Sequence, residues 1–247
     1  MELDLIAPGW DAPANVRAVT TTRMGGVSEG SYSSLNLGNH VGDDPLRVEI
    51  NRRRLTEALA LPCEPLWLQQ VHGTVVVNAA TAACVATADG AYVTRPGAVC
   101  AVLTADCVPV FLCRTDGTGV ALLHAGWRGL ADGVVEAGVR ALGQADSLIA
   151  RAGPGIGPKV FEIGADVKDK LTAGVDGSGR CFKPAGMADR WYADLYALIG
   201  LRLKRAGVER YGYDREACTY TQADRFFSHR RDRVTGRMAS LIWIEWA

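Results

Sequence analysis

The longest apolar stretch of the chain, AVCAVLTADCVPVFLC at 98–113, is broken in one place, at Thr104-Ala105-Asp106-Cys107. It reads as two buried segments on either side of a polar turn. GVALLHAGWRGLADGVVEAGVRAL reads as a buried strand through His124, a glycine turn, and an amphipathic helix from about Trp127. Upstream, RAVTTTR (17–23) has β-branched strand character, and MGGVSEGSYSSLNLGNHVGDDP is dense in Gly, Ser and Asn, a structured loop. Asp43 or Asp44 before Pro45 predicts a helix start, with Leu46, Ile50, Leu55 and Leu59 near helical spacing to about residue 60.

PLWLQQVHGTVVVNA predicts one or two strands broken near His72-Gly73, and ADGAYVT a short strand or turn. DSLIARAGPGIGPKVFEIG predicts a strand and a glycine-proline loop, and WYADLYALIGLRLKRAGV a helix that stops at Gly207. The chain closes with a basic loop, FFSHRRDRVTGRM, and an apolar strand, ASLIWIEWA. Strands and helices mix without regular βαβ alternation. That pattern favours an α+β fold, a layered mixed α/β sandwich with a β-sheet core, over a doubly wound sheet. No repeat, low-complexity tract or long linker divides residues 1–247, so one domain is expected.

Composition narrows the function classes. Lys plus Arg and Asp plus Glu number 27 each, so the net charge is zero, with no global attraction to nucleic acid or an anionic membrane. Substrate charge must be met locally. The first residues carry Glu2 and Asp4 without an apolar segment after them, and no run approaches the roughly 18 apolar residues of a membrane span. A soluble, cytoplasmic monomer is expected. Seven cysteines at scattered spacing do not form a disulfide framework; apart from Cys107 they read as small core residues, as Cys100 and Cys113 do in their apolar runs.

The chain has four histidines, and two stand where a strand meets glycine: His72 in VHG and His124 in HAG. Cys107 occupies ADC, the break in the apolar run. Two His and one Cys from separate segments suit a catalytic zinc with an open fourth position, at spacings far too long for a zinc finger. The same residues also admit a cysteine hydrolase, with Cys107 as nucleophile and His124 or His72 as base. A core cysteine with two satisfied histidines is the plainest alternative. The turn after His124, with Arg128, and the loop GPGIGP (153–158) could each favour an anion. Arg225, His229, Arg230, Arg231, Arg233 and Arg237, interleaved with Asp224 and Asp232, read as a solvated face or a phosphate pocket rather than a nucleic-acid patch.

TTRMGGVSEGSYSSLNLG, GDDP with Asn51-Arg52, QVHG, TADCVPV, HAGWRGL, GPGIGP-x-x-FEIG and FFSHRRD-x-x-TGRMA occur in this order. Together they closely resemble the purine nucleoside phosphorylase family formerly described as laccase-domain or polyphenol oxidase proteins. The resemblance implies a zinc site, at once the catalytic centre, on His72, Cys107 and His124. It implies a sandwich fold similar to that of cysteine-hydrolase-like toxins. It also implies phosphorolysis of adenosine, inosine, guanosine and methylthioadenosine, and deamination of adenosine, so the partners expected are nucleoside and phosphate. Arg23, Arg52 and Arg128 are the candidate anion holders.

One departure is visible: Gly155 and Lys159 stand where many relatives carry cysteines. A zinc centre that lowers the pKa of water to roughly 7 suits deamination, although the H-x-E and P-C-x-x-C signature of nucleobase deaminases is absent. Asp106 is the nearest candidate proton carrier in sequence, but strand alternation would turn it away from Cys107. Multicopper oxidation would leave only His40 and His229 for the further coppers, which are too few ligands; a single copper in the zinc site, with polyphenol oxidation, remains an alternative. A third class is a binding protein in which the metal only staples loops.

Overall fold

The break at residues 104–107 is where the chain leaves one sheet for another. The computed structural model describes residues 3–83, 85–214 and 216–246. Strands β1 (Leu5–Ile6) and β2 (Val16–Thr21) precede helix α1 (Pro45–Ala58). Then come β3 (Val76–Asn78), β4 (Gly90–Val93), β5 (Val99–Thr104), β6 (Val108–Arg114) and β7 (Val120–Ala125). Helices α2 (Trp127–Asp132) and α3 (Val134–Leu142) lead into β8 (Leu148–Ala152), β9 (Glu162–Gly164) and α4 (Ala165–Thr172). The rest is β10 (Phe182–Pro184), β11 (Arg190–Ala193), α5 (Leu195–Arg205), β12 (Arg210–Tyr213), α6 (His229–Asp232) and β13 (Met238–Ile244).

A four-stranded sheet runs β1-β2-β13-β5, a six-stranded sheet β12-β8-β6-β7-β4-β3, and a small third sheet β10-β11-β9. Cys100, Val102 and Ile242 of the first meet Phe111, Val120 and Leu122 of the second in a shared core. On the outer face of the six-stranded sheet, Val110, Leu112 and Leu123 pack against Val135 and Val139 of α3 and Leu198 of α5. On the outer face of the four-stranded sheet, Ala101, Leu103 and Leu241 pack against Leu35 and Leu37 of the preceding loop and Leu55 of α1. The fold is therefore the expected layered α+β sandwich. Antiparallel strands with one wet face alternate apolar and polar; here both faces are covered, so 98–113 reads as continuous.

Several local expectations change. Helix α1 starts as predicted, the Asp44 carboxylate accepting from Leu46 N at 3.0 Å. Its buried face, however, is Val48, Asn51 and Leu55, while Leu46 is 68% exposed. The cause is Asn51, whose side chain accepts from Val27 N and donates to Ser28 Oγ and Asn36 O, each at 2.9 Å, to hold the glycine-rich loop. A polar anchor has taken a core position. The helix expected from Trp191 starts at Leu195, since Arg190–Ala193 pairs with both β9 and β10, and Asp194 caps the helix through Ala197 N. The helix after His124 breaks at Gly133, whose φ of 101° ends α2.

Residues 64–75 form isolated bridges, Leu66 to Cys100 and Gln69 to Thr87, instead of a full strand; the predicted break at His72-Gly73 stands. The GPGIGP loop is no anion nest: Gly153, Ile156 and Gly157 donate their N–H groups to Pro109 O, Asp106 O and Cys218 Sγ. Cys100, Cys113 and Cys181 are buried, Cys63 and Cys218 half-buried, and with Cys107 all are free thiols. Cys84 lies outside the described residues. Among the described residues no helix is long and apolar enough to cross a membrane.

Candidate metal centre and its cavity

Three chain segments converge where the two large sheets part. Cys107 follows Asp106, whose φ of 95° interrupts the strand so that residues 106 and 107 face the same cavity. His124 stands one residue before the end of β7. His72 sits in the loop before β3 with φ 61°, a left-handed conformation uncommon for a residue with a side chain. The ligating atoms of the three lie within 4.8 Å of one another, and no other such group occurs among the described residues. Cys107 Sγ is 3.8 Å from His72 Nε2, and the two imidazoles meet edge-on with centroids 4.7 Å apart.

Asp89, fully buried just before β4, fixes this arrangement. Its Oδ1 accepts from His72 N and from His124 Nδ1, both at 2.8 Å; Oδ2 accepts from Gly73 N at 2.7 Å and Val71 N at 3.2 Å. One carboxylate thus holds the His72 loop in its left-handed turn and sets the His124 tautomer. With Nδ1–H donating to Asp89, His124 Nε2 is left to face Cys107. Burial alone would raise the Asp89 pKa, but the hydrogen bonds from His124, Gly73 and Val71 outweigh it and hold the carboxyl below its usual range.

Burial alone would likewise raise the Cys107 thiol, yet the two imidazoles beside it pull it down. For His124, burial opposes protonation, and the Cys107 thiolate with Asp89 more than reverses that, so its pKa is raised. The charged forms of the three groups thus favour one another.

The donor set fits a tetrahedral zinc: sulfur at ~2.3 Å and nitrogen at ~2.0 Å imply donor atoms about 3.5 Å apart, close to the 3.8 Å observed. Gly126 leaves the space. A Cβ there would lie 2.8 Å from both Cys107 Sγ and His72 Cδ2, so any side chain would push into the donors.

The cluster opens into a cavity of about 340 Å³. Its apolar lining includes Trp127, Ile156 and Phe161, and all four histidines border it. Arg128 lines it as expected, its guanidinium 4.5 Å over the Trp127 ring. Arg23 and Arg52 are not among its lining residues. Arg23 is spent on Ser33 O, Ala223 O and the Phe227 ring. Arg52 is spent on Leu37 O and the Trp67 ring, and borders a separate cavity.

Arg230 of α6 and Arg237 also line it, both from the basic C-terminal segment read above as a solvated face or a phosphate pocket. Asp89 and Gly126 escaped sequence reasoning. The signal available was an acid at the head of ADGAYVT, a segment predicted as a short strand or turn, since a carboxylate is a common partner for a metal-bound imidazole.

Residues 17–245 match the family described as multi-copper polyphenol oxidoreductase laccase. The chain is similar to a purine nucleoside phosphorylase of Pseudomonas aeruginosa, 48% identical over 241 residues, covering 97% of this chain and 98% of that protein. It is similar to the purine nucleoside phosphorylase YfiH of Escherichia coli, 47% identical over 243 residues, with 97% and 98% covered. Among solved structures, a Neisseria meningitidis protein superposes with TM-score 0.94 at 45% identity, covering 98% of this chain and 99% of that one. YlmD of Geobacillus stearothermophilus gives 0.87 at 35%, with 96% and 95% covered.

Proposed function

The chain belongs to the multi-copper polyphenol oxidoreductase laccase family, and from that premise we propose that it is a zinc-dependent purine nucleoside phosphorylase, a single domain across residues 1–247. The observation that carries this reading is the His72–Cys107–His124 cluster at the floor of a 340 Å³ cavity with an arginine-lined wall. That volume falls within the range of small-molecule sites. The names of the relatives supply the reaction. Adenosine, inosine, guanosine and methylthioadenosine are the substrates proposed, with deamination of adenosine as a second activity in the same cavity.

His72 Nε2, Cys107 Sγ and His124 Nε2 would hold the ion. Zinc there would supply Lewis acidity at neutral pH. Asp89 keeps His124 in the tautomer that presents Nε2, and it anchors the loop that presents His72. Trp127, Ile156 and Phe161 offer the purine an apolar wall and exclude water from its faces. Asp106 lines the cavity instead of turning away. It is the one carboxylate among the lining residues, and we assign it the proton exchanged with the purine.

One observation favours a second reading. The line Cys107–His124–Asp89 has the order of a nucleophile, a base and an orienting acid. A metal-independent hydrolase or amidase would use it directly. Copper in the same three donors, with polyphenol oxidation, is the remaining alternative.

The test is product analysis. Purified protein is incubated with adenosine, with and without phosphate, before and after metal removal by a chelator. Adenine with ribose 1-phosphate, or inosine, formed only by the zinc-loaded protein supports the proposal. Full turnover after metal removal, abolished by Cys107→Ser, would transfer the assignment to the thiol hydrolase.

A further inference from the structure

Two partly buried arginines of the cavity keep hydrogen-bond donors that the protein does not use. Arg237 spends Nη1 on the carbonyls of Thr235 and Gly236, at 2.9 and 3.0 Å, and its Nε and Nη2 have no protein acceptor among the described residues. Its stem is closely seated: a Cβ on Gly38 would fall 2.9 Å from Arg237 Cγ. Arg230 spends Nη1 on Glu162 O at 2.8 Å and lies 5.0 Å over the Phe161 ring, leaving its other guanidinium nitrogens likewise unspent.

Neither arginine belongs to any of the ion pairs of the described residues. Asp106, the lining's one carboxylate, already accepts from the Thr219 hydroxyl at 2.8 Å and from Arg230 N at 2.6 Å. His40 stands near enough to Arg237 to feel its charge.

Such a wall lacks its counter-charge. Partly buried guanidiniums are costly unless paired, and their planar forks match the paired oxygens of a phosphate. Both arginines are held by backbone carbonyls, so they meet a ligand without first being ordered. Arg237 also lies within electrostatic reach of Cys107, which places the wall beside the donor cluster.

We infer that Arg237 and Arg230, with His40 beside them, form the subsite that holds inorganic phosphate, the co-substrate of the phosphorolysis proposed above, on which this assignment rests. An oxygen of the bound hydrogen phosphate forms the bond to ribose C1′ as the C1′–N9 bond breaks. The electron pair of that bond leaves on the purine, which takes up the proton of the hydrogen phosphate by way of Asp106, giving free base and ribose 1-phosphate. Arg23 and Arg52 take no part. The base lies towards Trp127 and Ile156, across the cavity from the phosphate.

The experiment is calorimetric titration of inorganic phosphate into the zinc-loaded and the metal-free protein, for the parent, Arg237→Gln, Arg230→Gln and Arg52→Gln. Each of the first two substitutions should weaken phosphate binding about 10-fold or more, the scale of a lost charge-assisted hydrogen bond. Arg52→Gln should leave it unchanged, and the metal-free parent should still bind. In turnover the KM for phosphate should rise in parallel while the KM for nucleoside stays within about two-fold.

Arg237→Lys, which keeps the charge, should recover part of the loss and guards against misfolding. Phosphate affinity unchanged in both glutamine variants, or lost with the metal and indifferent to the arginines, would overturn the assignment. So would arginine-dependent binding of adenosine monophosphate without binding of inorganic phosphate. If phosphate binds through these arginines but no nucleoside is cleaved, the subsite stands and the phosphorylase reading falls.

Discussion

The cavity has two walls built on different principles. One is made of strand ends: Cys107 just before β6, His124 near the end of β7, and His72 tied to His124 through Asp89. The other carries His40 from a loop, His229 and Arg230 from the short helix α6, and Arg237 from just before β13. On the first wall the Asp89 carboxylate fixes the His124 ring and the His72 backbone, and Cys107 is placed by the strand that starts one residue after it. On the second, backbone carbonyls hold part of each guanidinium and the rest faces the cavity. The difference matches the two tasks proposed for them: a metal needs fixed donors with few alternatives, whereas an anion needs positive charge and spare N–H groups.

Removing a donor should separate the walls most sharply. Cys107→Ser and His124→Ala should each lose bound metal and lower turnover by more than about 100-fold, the upper end of what even an outer partner costs, with metal content read by atomic emission. Arg237→Gln should keep a full complement of metal.

Next is Asp89→Asn, expected to cost about 10–100-fold in metal affinity or activity, as outer partners of ligating histidines do. The amide nitrogen cannot accept, so some of the N–H groups of Val71, His72 and Gly73 lose their acceptor, and thermal unfolding should drop by about 1–3 kcal/mol. The Asp89 carboxyl is held below its usual range, so its stabilisation is complete above about pH 4 and is lost as pH falls through the lower folded value. Unfolding of the metal-free parent should therefore be more acid-sensitive below that pH than unfolding of Asp89→Asn.

Gly126→Ala should cost about 1–3 kcal/mol, the usual scale of overpacking, and loosen the metal, because the new methyl enters the space beside Cys107 Sγ and His72. The smallest effect belongs to Arg23→Gln and Arg52→Gln. Each should lower stability by about 1 kcal/mol through lost backbone hydrogen bonds and leave kcat/KM within about two-fold. A large rise in the phosphate KM of either variant would put the anion wall elsewhere.

The same contrast explains what could be read in advance. Cys107, His72 and His124 stand out in sequence because each interrupts an apolar segment, and a polar residue at the end of a buried strand has few reasons to be there. Arg23, Arg52, Arg230 and Arg237 carry no such mark. All four lie in or near polar stretches, and only the tertiary structure decides that the first two bind backbone and aromatic rings while the last two reach the cavity.

Asp89 was hidden because its role depends on two partners far away in sequence, one through each of two loops and strands. The fold class followed from the lack of βαβ order, but the stripe of α1 could not be phased, because Asn51 is buried for its hydrogen bonds and not for its hydrophobicity. The break at 104–107 was legible as a turn. That it crosses between sheets was not.

The central claim is one metal bound by the two imidazoles and the thiolate of the strand-end wall. X-ray absorption at the zinc edge of the zinc-loaded protein tests it directly. One sulfur at about 2.3 Å with two nitrogens at about 2.0–2.1 Å, the sulfur vanishing in Cys107→Ser, is the result predicted. A shell of nitrogen and oxygen alone in the parent protein would contradict it and leave Cys107 as a free thiol beside His124.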